Sequence, residues 1–331
     1  MVRDPPFSLN RPRYDDSKFV ERARHFFEVT DPRTLLVSHT ELRSACSLLQ
    51  SAHDGSLAPG TSNAQLWEAR RLKDSAYHPV TGCEIPRPFR FAAFVPVTLL
   101  VVPVMLLPST IASPLRTVGV HWLNQSYLAA VNFANRSGGD NASSATLFKA
   151  YVGAVFASCS IALSATVLTK RMAAAGSSPA IATALRATLP FAAVTVAGSL
   201  NVAVMRQTEL ADGVDVRDHG GQVHGKSAVA GRVGVAKCCV TRGLWNAPIM
   251  CLHPLLMARL NRRPIFQRNP RAALLADAVL FTGILSVSVP LALGAFPQRD
   301  RLDASSLEPR FHNKLDTSGE PVQAFFYNKG L

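Results

Sequence analysis

The chain lacks the usual markers of chemistry. It has no CxxC pair, no phosphate-cradling P-loop, no dinucleotide-binding glycine set, no catalytic triad and no paired carboxylates. Each absence removes a class of function. Scattered cysteines supply neither a disulfide framework nor a zinc site. Without the glycine loops there is no preformed cradle for a nucleotide. Without a spaced nucleophile and base, or two facing acids, general acid–base catalysis has no apparatus. An enzyme is not expected, and neither is a metal or cofactor. His219 and His224 sit in a Gly-rich loop with acidic residues nearby, but they lack the two-by-two ligand pattern of a zinc site.

Charge is also scarce, at 17% of residues, and it is unevenly placed. Long tracts with almost no charge lie between residues 91 and 296, while both ends are ordinary and polar. That pattern marks a membrane protein with soluble flanks more than two soluble domains in 331 residues. The formal net charge of +13 does not point to nucleic acid, because residues 1–90 and the tail from Pro297 are nearly balanced. The surplus lies in and between the apolar runs, where it orients helices against an anionic bilayer. Four of the six cysteines (Cys46, Cys83, Cys159, Cys238, Cys239, Cys251) fall in or near those runs and read as small hydrophobes. The polar, Pro-rich N-terminus resembles neither a cleavable secretory signal nor a mitochondrial presequence, so targeting information is expected to be internal.

The expected fold is an all-α membrane protein of about five transmembrane helices plus an amide-rich membrane segment, preceded by a helical soluble region over residues 1–90. Asp31-Pro32, Ser38-x-x-Glu41 and Ser62-x-x-Gln65 supply helix starts in that region. Spans are expected at about 91–112, 150–169, 181–205, 233–257 and 272–296, with a tail over 297–331. The first carries Pro96, Pro103 and Pro108 and must be kinked or broken. Five crossings put the termini on opposite sides. Loops 170–180 and 259–271 then fall on the N-terminal side and loop 206–232 opposite. The second of those loops holds Arg259, Arg262, Arg263, Arg268 and Arg271, and the positive-inside rule therefore predicts a cytoplasm-like or matrix N-terminus.

The segment His121 to Arg136 stands apart. Wound at about 100° per residue, His121, Asn124, Gln125, Asn132, Asn135 and Arg136 gather on one face, and Trp122, Leu123, Ala130, Phe133 and Ala134 take the other. Amides donate and accept without charge, which suits a small zwitterion or a neighbouring helix equally well. Ionisable residues inside spans are costly, so Arg186, Arg242 and Asp277 are candidates. Arg242 shares a helix face with Asn246 just before Pro248, where an interrupted helix can hold substrate; the alternatives are snorkelling or a structural pair with Asp277. Asn201 and Arg206 end the third span, where the cation either attracts a carboxylate or anchors the helix. Asn124, Asn135 and Asn141 also match the glycosylation acceptor pattern, which is short and common.

Several blocks together resemble the sideroflexin family of mitochondrial inner-membrane proteins. They include Arg13-Tyr-Asp-Asp-Ser-Lys-Phe19, Arg24 to Arg33, Leu66-Trp67, Asp74 to Pro79, Asn124-Gln-Ser126, Asn135-Arg-Ser-Gly138, Met205-Arg-Gln207, Ala247-Pro248, Phe296-Pro-Gln298 and Tyr327 to Leu331. The resemblance runs in order along nearly the whole chain. It implies a multi-span carrier of serine, or of alanine or cysteine, feeding one-carbon metabolism, in a family with reported links to iron and haem. It also implies a non-transporting alternative, a scaffold for respiratory complex I or iron-cofactor assembly. On that basis Asn124, Gln125, Ser126, Asn132, Asn135, Arg136, Asn201, Arg206, Arg242 and Asn246 are expected to hold substrate, and His78 with Thr81 to gate the matrix mouth. The expected partners are a small neutral amino acid, the lipid bilayer and inner-membrane proteins, without nucleic acid. Two positions depart from the family pattern: Val80 replaces an acid, and Leu128 replaces an amide expected at the centre of the polar band.

Overall fold

The computed structural model describes residues 5–9, 12–78, 81–111, 113–135, 144–174 and 194–330. Val80, Arg136, Arg186 and the loop from 137 to 143 therefore lie outside the described residues. The first part holds α1 (Phe19–Val29), α2 (His39–His53) and α3 (Asn63–Ala76). Capping boxes start α2 and α3: Ser38 Oγ accepts from the Glu41 amide and the Ser38 amide donates to Glu41, with Ser62 and Gln65 repeating the exchange. Asp31 caps only a short 3-10 turn, Pro32–Leu36.

The apolar region follows as α4 (Phe94–Leu106), α5 (Pro108–Ile111), α6 (Pro114–Ala134), α7 (Ser144–Ala174), α8 (Val194–Met205), α9 (Gln207–Ala211), α10 (Ala228–Leu260), α11 (Pro264–Arg268) and α12 (Pro270–Leu293). The chain is mostly helical. Among the described residues, α12 is the helix that is by itself long and apolar enough to cross a membrane, with shorter apolar helices at Phe91–Met105, Tyr151–Ile161 and Val194–Met205. Amides dilute α6, and Lys237 and Arg242 dilute α10, although at 33 residues α10 extends about 50 Å. The proline-rich first run breaks at Leu107, as its composition requires.

The all-α expectation needs one correction. Residues 214–227 and the tail form a four-stranded sheet in the order β2-β1-β4-β3, from β1 (Val214–Arg217), β2 (Val223–Ser227), β3 (Arg299–Asp303) and β4 (Ala324–Asn328). The sheet is antiparallel throughout. Val216, Phe311, Phe325 and Tyr327 fill its core. Glu308 joins this lobe to the membrane helices: its carboxylate accepts from Ser227 Oγ (2.7 Å) and from the amides of Ala228 (2.7 Å) and Val229 (3.2 Å). A carboxylate there satisfies orphan donors at the positive end of α10. Gly231 lets α10 touch the Glu209 carbonyl, a contact that any side chain would obstruct.

The main core joins the N-terminal region to the bundle. Phe26 of α1 packs with Phe94 and Val95 of α4, Trp245 of α10, and Phe281, Leu285 and Val289 of α12. Burial of each such side chain contributes about 1.5–3 kcal/mol. Large apolar side chains are nonetheless exposed from Leu100 to Leu291, among them Trp122, Phe133, Phe156, Leu255 and Val279, as lipid-facing surfaces require.

The termini are together, not apart. Asp16 Oδ2 accepts from the amides of Gln298 (3.1 Å) and Arg299 (3.2 Å), and Arg22 donates to the Gly294 carbonyl (2.8 Å). The 206–232 segment shares the sheet with the tail, so it too lies on this face. Asn135, at the far end of α6, donates to Phe89 just before α4, so α6 returns along α4. The contact between the two ends differs from the opposite-sided termini expected from five crossings. Tags at the two ends of the protein, in sealed vesicles of one orientation, are therefore expected to be cleaved together or protected together by added protease. Cleavage of one alone would contradict this arrangement.

Candidate functional site

The amide face of α6 looks inward, between α7 and α10. Gln125 is 1% exposed; its amide donates to Ser158 Oγ (3.0 Å), which lies 3.4 Å from His121 Nδ1. Ser126 Oγ bonds the Trp122 carbonyl (2.8 Å) and Tyr151 OH (2.7 Å). Asn124 is buried beside them. One and two turns on, Asn132 Oδ1 accepts from the Arg242 guanidinium (3.1 Å), which stacks on Trp245 at 4.4 Å. Asn135 donates to Phe89 (2.8 Å) and Val131 (2.7 Å). Asn246 donates to the Arg242 carbonyl (2.9 Å) one turn back.

Several buried polar atoms in these helices have no hydrogen-bond partner among the described residues: Gln125 Oε1, Tyr127 OH, Thr195 Oγ1 and Asn201 Oδ1. An orphan of this kind costs about 1–3 kcal/mol. Asn201 is itself 1% exposed. Polar atoms left open in an apolar interior are what a transported polar molecule would engage.

The remaining candidates sort themselves by their partners. Arg206 forks onto Glu209, at 3.0 Å from Oε1 and 2.5 Å from Oε2, and lies 3.1 Å from Cys238 Sγ. Its guanidinium lies against Gly330, where an added Cβ would come within 3.0 Å. Arg206 is thus held in docking the tail. Lys329 is buried beside it, and burial holds its ammonium below the usual lysine range; its carbonyl accepts from Cys238 Sγ at 3.6 Å. Asp277 Oδ1 lies 3.2 Å from His253 Nε2, an ion-pair distance without hydrogen-bond alignment, so Asp277 does not pair with Arg242. His78 is buried and accepts from the Thr81 amide through Nδ1 (3.1 Å), while Thr81 is exposed. His224 pairs with Asp218 (3.0 Å), well inside the sheet lobe. A cavity of about 390 Å³ lies between the N-terminal segment and the sheet, lined by Asp16, His219, Arg299, Arg301 and Phe326, away from the amides.

Leu128 departs from expectation. It is partly buried and packs against the Phe94–Trp245–Phe281 core, so the polar band is interrupted there by apolar packing. Ser158 and Tyr151 were absent from the sequence-based candidates. Their seven-residue spacing puts them on one face of α7, a signal that becomes legible once α7 is paired with α6.

Exposed apolar flanks and a helix long and apolar enough to cross a bilayer point to a helical membrane protein. The chain belongs to the sideroflexin family, whose model, described as "SFXNs: Sideroflexins", matches residues 8–331. It is 37% identical to human Sideroflexin-5 over 328 residues, covering 99% of this chain and 94% of that protein. It is 35% identical to a Dictyostelium discoideum Sideroflexin over 327 residues (99% and 98%), and 35% identical to human Sideroflexin-3 over 325 residues (98% and 98%). No solved structure matches. Membership in a family of carrier-type proteins supports a mitochondrial transporter-type function.

Restoring the family amide at Leu128 is expected to be harmful. Leu128→Asn removes apolar contacts and buries an amide against aromatic rings, costing about 2–4 kcal/mol. Thermal unfolding of the detergent-solubilised variant should show this as a lowered midpoint; an unchanged midpoint would mean that Leu128 borders a polar space.

Proposed function

We propose that the chain carries serine or a related small neutral amino acid across the mitochondrial inner membrane, supplying one-carbon metabolism. The observation that carries this reading is, among the described residues, the set of unpaired polar atoms on α6 and α8, together with Arg242 bound through a single hydrogen bond to Asn132. Gln125 and Asn201 offer acceptors for an ammonium group. Arg242 offers a guanidinium fork for a carboxylate, the pairing whose geometry is most selective. Asn124 and Asn132 would contact the substrate's small polar side chain. Ser126, Asn135, Arg206 and Asn246 support the path by holding α6, α8 and α10 in place, and Arg136, outside the described residues, is retained as a candidate for the substrate carboxylate. His78 and Thr81 act as a gate through the short turn that precedes α4.

Six crossings, five spans plus α6, accord with the adjacent termini. The positive-inside rule then draws the Arg-rich turn at 259–271 to the matrix, and both termini to the opposite face. A second reading, a scaffold for respiratory-complex or iron-cofactor assembly, draws on polar groups of α6 already engaged with neighbours: the Ser126 hydroxyl bonds Tyr151 and the Asn135 amide donates to Phe89.

Uptake of labelled serine into liposomes containing the purified protein separates the two. The unmodified protein should accumulate serine. Arg242→Lys keeps the charge and loses the fork, and should lower uptake about 10- to 100-fold, the worth of one charge-assisted hydrogen bond. Gln125→Leu should abolish uptake while leaving the fold close to its original stability, because removing the orphan acceptor offsets the lost bond to Ser158. No uptake by the unmodified protein, with respiratory subunits co-purifying, favours the scaffold. Unchanged uptake in both variants removes the site from these residues.

A further inference from the structure

The first helix has an apolar face wider than the protein covers. Wound at about 100° per residue, Phe19, Val20, Ala23, Phe26 and Phe27 of α1 share an arc of about 120°, while Glu21, Arg24, His25 and Glu28 occupy the other side. Only part of the arc is used. Phe26 enters the main core, and Ala23 meets α12 so closely that a Cβ on Gly294 would fall 2.9 Å from its amide nitrogen. Phe19, Val20 and Phe27 remain 47%, 59% and 42% exposed.

The direction of those side chains is set by their buried neighbours. Phe19 lies in azimuth between Phe26 and Ala23, both of which point into the bundle. It therefore points the same way, but two turns along the axis, beyond the bundle's edge. The depth is set by α12: Arg22 and Ala23 sit on Gly294, one residue past Leu293, at the end of the helix that is long and apolar enough to cross a membrane. Just below, Leu291 and Val287 of α12 are exposed, so the uncovered face of α1 continues a surface that faces lipid.

We propose that α1 is a membrane-interface helix, its uncovered apolar face resting on the boundary between headgroups and acyl chains beside α12. Its occupant is phospholipid. Charge plays little part, because the two exposed cations on and beside α1 among the described residues are paired, Lys18 with Asp15 (3.2 Å) and Arg24 with Glu21 (3.2 Å). This inference needs the chain's place in a membrane but not the transport of any solute.

Site-specific photocrosslinking tests it. Full-length protein carrying p-benzoyl-phenylalanine in place of Phe19, Phe27, Glu21 or Arg24 is reconstituted into phosphatidylcholine vesicles, irradiated and weighed by mass spectrometry. Phospholipid adducts are expected at positions 19 and 27, at least severalfold above positions 21 and 24, and at the same yield when anionic lipid is added. Should a Phe19 or Phe27 variant fail to fold, Val20 takes its place. Equal adducts at all positions, adducts only with anionic lipid, or crosslinks to a second copy of the chain would overturn the proposal. Serine uptake is read separately, so failure of transport leaves this result standing, and the reverse.

Discussion

Arg22 bonds the carbonyls left over at the end of α12. The last carbonyls of a helix have no partner within it, and the end carries partial negative charge. Arg22 donates to Gly294 at 2.8 Å through Nε, to Ala295 at 3.4 Å through Nη2 and to Asp16 at 2.7 Å through Nη1. One buried guanidinium thus closes a membrane helix, orders the segment before α1 and brings the two ends of the chain to one face. Much follows from that clasp. With residues 16 and 298 in contact, the start of α1 and the end of α12 share one end of the bundle.

A second clasp fixes α10 against the tail. Lys237 pairs with Asp300, whose Oδ2 also accepts from Tyr327 OH at 2.8 Å. Burial raises the Tyr327 hydroxyl well above the usual range for tyrosine, with the Asp300 bond adding to it, so it stays a donor. Glu308 holds the start of the same helix. The tail is therefore part of the frame that positions Arg242, not an appendage, and its loss would loosen the helix that carries the fork.

How far these features were legible in the residues depends on whether the interaction is local. The capping boxes at Ser38 and Ser62 involve partners three residues apart, and the apolar runs announce themselves; both are readable without the fold. The inward face of α6 was also legible, since periodicity determines which side chains share a face. The sheet was not. Arg299 to Asp303 is mostly charged, and β1 meets β4 through Arg217 and Phe326, more than a hundred residues apart. Nor was the role of Leu128, because a helical wheel gives azimuth but not the neighbour, and its neighbour is an aromatic core instead of a polar void. Arg206 was legible in part: anchoring of the helix end was one of its two readings, and Glu209 is only three residues on, but the tail that packs on its guanidinium is remote.

The packing divides the membrane helices into two units. α7 lies antiparallel along α6, tied by Ser126–Tyr151, Gln125–Ser158 and a Cys159 thiol on the Val118 carbonyl. α8 and α12 lie along α10, tied by Cys239 to Ser199, by the shared aromatic core and by the tail. Polar contact between the two units, among the described residues, rests on Arg242 and Asn132. A single hydrogen bond contributes about 1 kcal/mol, a few times that at most when charged. The rest of the contact between them is apolar, with Tyr127 and Leu128 of α6 packed on the Phe94–Trp245–Phe281 core. The unpaired acceptors are distributed over both units, Gln125 on one and Asn201 on the other. A polar ligand that satisfied both would tie the units together, as the Arg242–Asn132 bond does.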